Sequence, residues 1–109
     1  ASLGHIGSVE IAGVQAAVGV LSSKWSVAIL AELSGGTRRF NELLRRIDGI
    51  SRRMLTATLR RLEDAGLIER RVYADVPVRV EYDLSPAGIE LFAALRPLSG
   101  WALQYRPAA

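Results

Sequence analysis

Between residues 40 and 84 the chain sets out two short amphipathic segments joined by a tight turn. Two runs of β-branched and aromatic residues, joined by a short loop, follow at once. Few architectures accept that order. Asn41 through Ile47 reads as a short helix with Leu43, Leu44 and Ile47 facing inward, and Asp48-Gly49 turns the chain. Ser51 caps the next helix, which should run to about Ala65, with Gly66 where helices commonly end. At about 100° per residue, Leu55, Thr58, Leu59 and Leu62 share one face with Met54 at its edge, and Arg53, Thr56, Ala57 and Arg60 lie opposite. Leu67 to Tyr73 and Arg79 to Leu84 alternate as strands do. With Ala74-Asp75-Val76-Pro77-Val78 between them, they predict an antiparallel hairpin.

The flanks complete the pattern. Residues 1–8 are glycine- and serine-rich and predict a flexible tail, leaving 9–109 as a single domain, the size 109 residues can support. Val9 to Leu21 predicts a helix weakened by Gly13 and Gly19. Ser23 caps a helix through about Leu33, expected to be the most buried, with Trp25, Ile29 and Leu33 on one face; Gly35-Gly36 stops it. Thr37 to Phe40 predicts a very short strand. Ser85-Pro86 opens a last helix toward Tyr105, which Pro97 should kink or interrupt. Trp25, Tyr82 and Phe92 are expected in the core. The expected fold is mainly α with a small β-hairpin, in the order of a winged helix-turn-helix.

Several chemistries are excluded by composition. There are no cysteines and one histidine, His5, in the tail, so thiol nucleophiles, disulfides, cysteine redox sensing and the usual zinc ligand sets are unavailable. No catalytic residue, metal site or cofactor is expected. No apolar run approaches the roughly 20 residues that span a bilayer, and no basic segment precedes an apolar one as in a secretory signal. No membrane partner is expected, and the cytoplasm is the expected compartment.

The charge is unevenly placed. Arg38 to Arg61 holds eight arginines against Glu42 and Asp48, whereas Leu62 to Glu90 holds three against seven acids. Thirteen of the fourteen basic residues are arginine, whose planar fork suits phosphate and guanine. In a helix-turn-helix the second helix enters the major groove. Arg53, Thr56 and Arg60 are therefore the candidates for bases or nearby phosphates, and Arg52 for phosphate. The helix start at Ser51 can bind phosphate through its amides. Of Arg38 and Arg39, one is expected to touch phosphate and the other to pair with an acid. Arg79, just after the hairpin loop, is expected to reach the minor groove or backbone. The expected partner is double-stranded DNA. The alternative is a winged-helix protein-interaction module whose arginines meet an acidic partner.

Both ends are too apolar for a lone small domain. Val14, Val18 and Leu21 in the first helix, and Phe92, Leu95, Leu98, Trp101 and Leu103 in the last, spread around their axes. A helix apolar on all sides is buried on all sides. These residues predict a homodimer joined through the N- and C-terminal helices, with two reading helices about one DNA turn apart over a pseudo-palindromic site.

The same residues resemble the HxlR-type family of bacterial winged helix-turn-helix regulators, relatives of the MarR group, over about Val14 to Trp101. The motifs are Lys24-Trp25, Arg39-Phe40-Asn41-Glu42-Leu43, Gly49-Ile50-Ser51 followed by Leu55, Leu59, Leu62 and Glu63, and Gly66-Leu67-Ile68 with Arg70. Val80-Glu81-Tyr82 and Leu84-Ser85-Pro86-Ala87-Gly88 complete the set. The resemblance implies a homodimeric DNA-binding transcriptional regulator with the helix from Ser51 as reader and the hairpin as wing. Many members carry a sensing cysteine near the start of the first helix, where this chain has Ala12. That leaves a small apolar effector between the terminal helices and the core, or a constitutive regulator.

Overall fold

A computed structural model describes residues 5–105. In chain order the elements are α1 (Ser8–Val20), α2 (Lys24–Ser34), β1 (Arg38–Arg39), α3 (Phe40–Arg46), α4 (Arg52–Asp64), β2 (Ile68–Tyr73), β3 (Arg79–Leu84) and α5 (Pro86–Tyr105). The strands form one antiparallel sheet in the order β1-β3-β2. Local chemistry sets most of the boundaries. Ser23 Oγ accepts the Trp25 amide at 3.1 Å and Ser51 Oγ accepts the Met54 amide at 3.0 Å, each satisfying a donor that a helix start leaves free. The Arg39 amide donates to Glu42 Oε1 at 3.1 Å at the start of α3. Gly49 between α3 and α4, and Gly66 after α4, sit at φ +83° and +76°, a left-handed conformation that side chains disfavour.

The core collects one face of each central element. Ile29, Leu30 and Leu33 of α2 meet Leu43 of α3, Leu55, Leu59 and Leu62 of α4, and Tyr82 of β3, with Ile47, Ile50, Leu67 and Ile68 closing the edges. As expected, α2 is deeply buried and the α4 stripe faces inward. Trp25 and Phe92 pack against this core only partly buried, and burial raises the pKa of the Tyr82 phenol. The buried polar groups have partners. Ser26 Oγ accepts from Arg61 at 2.8 Å, Thr58 Oγ1 donates to the Met54 carbonyl at 2.7 Å, and Ser85 Oγ donates to the Gly66 carbonyl at 2.6 Å. Replacing Ser51 by alanine removes the cap of α4 and is expected to lower unfolding stability by about 1 kcal/mol. An unchanged denaturant midpoint would show that the cap contributes nothing.

Three expectations are corrected. The short strand covers only Arg38–Arg39, because Phe40 already opens α3. Pro97 does not interrupt α5; it and Ala93, whose carbonyl loses its donor, are both exposed, so that carbonyl is not buried without a partner. Of the expected tail, residues 1–4 lie outside the described residues, and Ser8 already belongs to α1.

The terminal helices are apolar and uncovered. No residue of α1 is buried. Val14, Val18, Leu98, Trp101 and Leu103 are more than half exposed, and Leu95 is partly buried. Leu21 and Phe92 are partly buried against this chain's own core. Among the described residues no single helix is long and apolar enough to cross a membrane. The pair α1 and α2 reaches that length and composition only together, across an 87° bend.

Candidate nucleic-acid interface

The outward face of α4 is set by its inward one. With Leu55, Thr58, Leu59 and Leu62 fixed in the core, the 3.6-residue repeat turns Arg52, Arg53, Thr56, Ala57 and Arg60 to solvent, where they line one shallow open concavity. The Thr56 hydroxyl donates to the Arg52 carbonyl at 2.8 Å, which leaves its oxygen lone pairs outward. The Arg52 guanidinium lies 5.9 Å from the centre of the Phe40 ring, a cation–π distance that holds it beside the start of α3. Ser51 stands at the helix start with its oxygen already accepting from Met54.

Sorting the basic segment by partner separates structural arginines from available ones. Arg46 Nε donates to Glu32 Oε2 at 2.7 Å, tying α3 to α2, and this hydrogen bond raises its pKa above the ordinary arginine value. Arg61 reaches Ser26, and Arg38 turns to the Glu32 carbonyl at 3.4 Å with Glu42 at 4.0 Å. Arg39 stands 4.0 Å from Glu81. Among the described residues Arg45, Arg52, Arg53, Arg60 and Arg96 have neither a carboxylate within 4.0 Å nor, unlike Arg61, a side-chain hydrogen bond. Three of those five lie on the outward face of α4. The sequence left the choice between Arg38 and Arg39 open; Arg38 is the more enclosed, with its side chain 20% exposed against 54% for Arg39.

The hairpin stands beside this face. Residues 74–78 form its loop, with Val76 and Val78 exposed at the tip. Arg79 folds back onto its own hairpin: its Nε lies 3.3 Å from Asp75 and 3.8 Å from Glu81, and its guanidinium stacks 4.1 Å from the Tyr73 ring centre. Arg71 pairs with Asp83, which also accepts the Thr37 hydroxyl at 2.6 Å, and Arg70 lies 3.7 Å from Glu63 of α4. A groove runs between the loop and α3, lined by Arg39, Phe40, Asn41 and Arg45 on one side and by Asp75, Arg79 and Glu81 on the other.

Arg45 is a basic residue of this surface that sequence reasoning does not single out. A signal is present. Arg45 lies about 200° around the helix from buried Leu43, on the face turned away from the core. The adjacent Arg46 hides that signal, because nothing local distinguishes an arginine bound to a glutamate 14 positions earlier from one left free.

A helix pair with a tight turn, a second helix presenting unpaired arginines, and a three-stranded sheet ending in a projecting hairpin together define a winged helix-turn-helix. Within that class the chain belongs to the HxlR-like helix-turn-helix family, whose model matches residues 20–109. It is 44% identical over 95 residues to an uncharacterized HTH-type transcriptional regulator of Methanothermobacter thermautotrophicus, covering 87% of this chain and 72% of that protein. It is also 44% identical over 82 residues to the uncharacterized HTH-type transcriptional regulator sll1512 of Synechocystis, covering 75% of this chain and 61% of that one. Among solved structures, a MarR-family transcriptional regulator from Enterococcus faecalis V583 superimposes with TM-score 0.85 at 36% identity over 95% of this chain and 94% of that one. The reduced form of YodB from B. subtilis superimposes with TM-score 0.82 at 30% identity over 96% of this chain and 100% of that one. These 109 residues contain no cysteine, so a thiol redox step is not open to them.

Proposed function

We propose that the chain is a transcriptional regulator, not an enzyme, acting in the cytoplasm on duplex DNA. It reads a pseudo-palindromic site as a homodimer, with residues 9–109 as the working unit. The single observation that carries this reading is the unpaired arginine face of α4. Arg53, Thr56 and Arg60 read base edges or the phosphates beside them. Arg52 and the helix start at Ser51 hold the backbone, with Arg45 and Arg39, the more exposed of Arg38 and Arg39, on the α3 side and Arg79 shaping the wing. The exposed apolar residues Val14, Val18, Leu98, Trp101 and Leu103, with Leu95, form the surface that a second copy covers. The relatives named as HTH-type transcriptional regulators support the same reading.

Selection from a random duplex library at near-physiological salt tests it. The expected result is a two-fold symmetric motif with half-sites about one helical turn apart. No enrichment, together with no duplex binding at low salt, would transfer the arginine face to an acidic protein partner. A monomeric mass in solution at micromolar concentration would remove the dimer.

A further inference from the structure

An acidic residue stands in the middle of this basic surface. Glu81 lies in the central strand β3, with Arg39 of β1 and Arg71 of β2 directly opposite it. Directly opposed residues share a face of the sheet, and Arg79, two positions earlier on β3, shares it too. Arg71 is taken by Asp83, so the Glu81 carboxylate is left with Arg39 at 4.0 Å and Arg79 at 3.8 Å. Its side chain is 20% exposed, and all three residues line the groove between wing and α3. Phe40, beneath Arg52, lines the same groove, which makes it continuous with the face of α4.

We propose that Glu81 sets the sequence-independent affinity of this surface by holding Arg39 and Arg79 partly neutralised. This rests on the reading of α4 as a DNA reader. Binding without sequence preference is driven by phosphate neutralisation and counterion release, at about 0.9 in the log-log salt slope per phosphate. A carboxylate shared by two arginines keeps both from acting as full phosphate contacts, while base recognition stays with α4. The device limits non-selective attraction without touching the reading residues.

The test compares wild type and Glu81→Gln on two duplexes across a salt series: the one wild type selects from a random library, and a shuffled duplex of the same composition. Glutamine keeps the side-chain length and removes the charge. The variant should bind both duplexes about five- to tenfold more tightly near 0.1 M salt, with slopes steeper by about one to two and their affinity ratio unchanged. Adding Arg39→Gln should take back about 0.9 of the slope. Asp75→Asn, in the exposed loop, releases Arg79 from its other partner and should shift the slope in the same direction by less. Unchanged slopes in both Glu81→Gln and Asp75→Asn, or weaker binding to both duplexes, would overturn the proposal. A changed affinity ratio at constant slope would overturn it too, by making Glu81 a reader of bases. Absence of wild-type binding to either duplex would instead remove the reading of α4, and the role of Glu81 with it.

Discussion

Gly88→Ala is expected to cost about 3 kcal/mol of unfolding stability, although it replaces glycine by the best helix former. In an exposed helix interior that exchange stabilises by about 1 kcal/mol. Here a Cβ on residue 88 would stand 2.0 Å from the Leu67 carbonyl oxygen, 3.1 Å from its carbon and 3.3 Å from Leu84 Cδ2. The backbone oxygen cannot yield cheaply, because it accepts the Ser85 amide at 3.0 Å. The first turn of α5 cannot yield either. The Gly88 amide donates to Ser85 Oγ at 3.0 Å, and that hydroxyl donates to the Gly66 carbonyl. The clash must be relieved by shifting α5 off the root of β2, which breaks these bonds and the packing on Leu84 together. Against a total stability of about 5–15 kcal/mol this is a large fraction. Denaturant unfolding of the variant decides it, and a midpoint equal to or above wild type would show that the approach is not tight.

The second large effect falls on binding. Arg53→Ala with Arg60→Ala should weaken binding to the selected duplex about a hundredfold or more while leaving the fold intact. Removing a bidentate pairing with a base costs about 1–3 kcal/mol. The two residues are about 10 Å apart along α4, far enough for their effects to add. Both are exposed with no ion pair among the described residues, so their removal disturbs no internal ion pair. The form of the weakening assigns the role. A base reader relaxes preference at one position of the site, whereas a phosphate holder weakens every sequence alike and reduces the salt slope by about 0.9. Specific binding that survives the double substitution would remove α4 as the reading helix.

Features set by neighbours a few residues away were legible in the sequence. Ser23 and Ser51 cap the helices they precede, Gly66 ends α4, and the leucine stripe of α4 faces the core. The outward face of α4 follows from that stripe, which is why its arginines could be named. Features set by distant partners were not legible. Arg61 is bound by Ser26, 35 positions away, and Arg46 by Glu32, so two of the eight arginines in the basic segment are held by contacts between helices. Nearness in sequence was not enough for Arg79, which sits where a wing arginine should: Asp75, Glu81 and Tyr73, two to six positions away, fold it back, an outcome that needs the hairpin register. Phe92 and Leu21 fit a partner surface by spacing, and only the packing of α5 and the end of α1 puts them against the core.

Two consecutive carbonyls, those of Gly66 and Leu67, secure the first turn of α5. Gly66 follows the end of α4, and Leu67 precedes β2. The joint is therefore a splice at which α4, the root of the hairpin and the long helix meet. A rotation of the long helix about that point would carry the other two with it. In a pair of chains clasped through their long helices, the splice would act as the pivot of a caliper, its angle setting the span between the two reading tips.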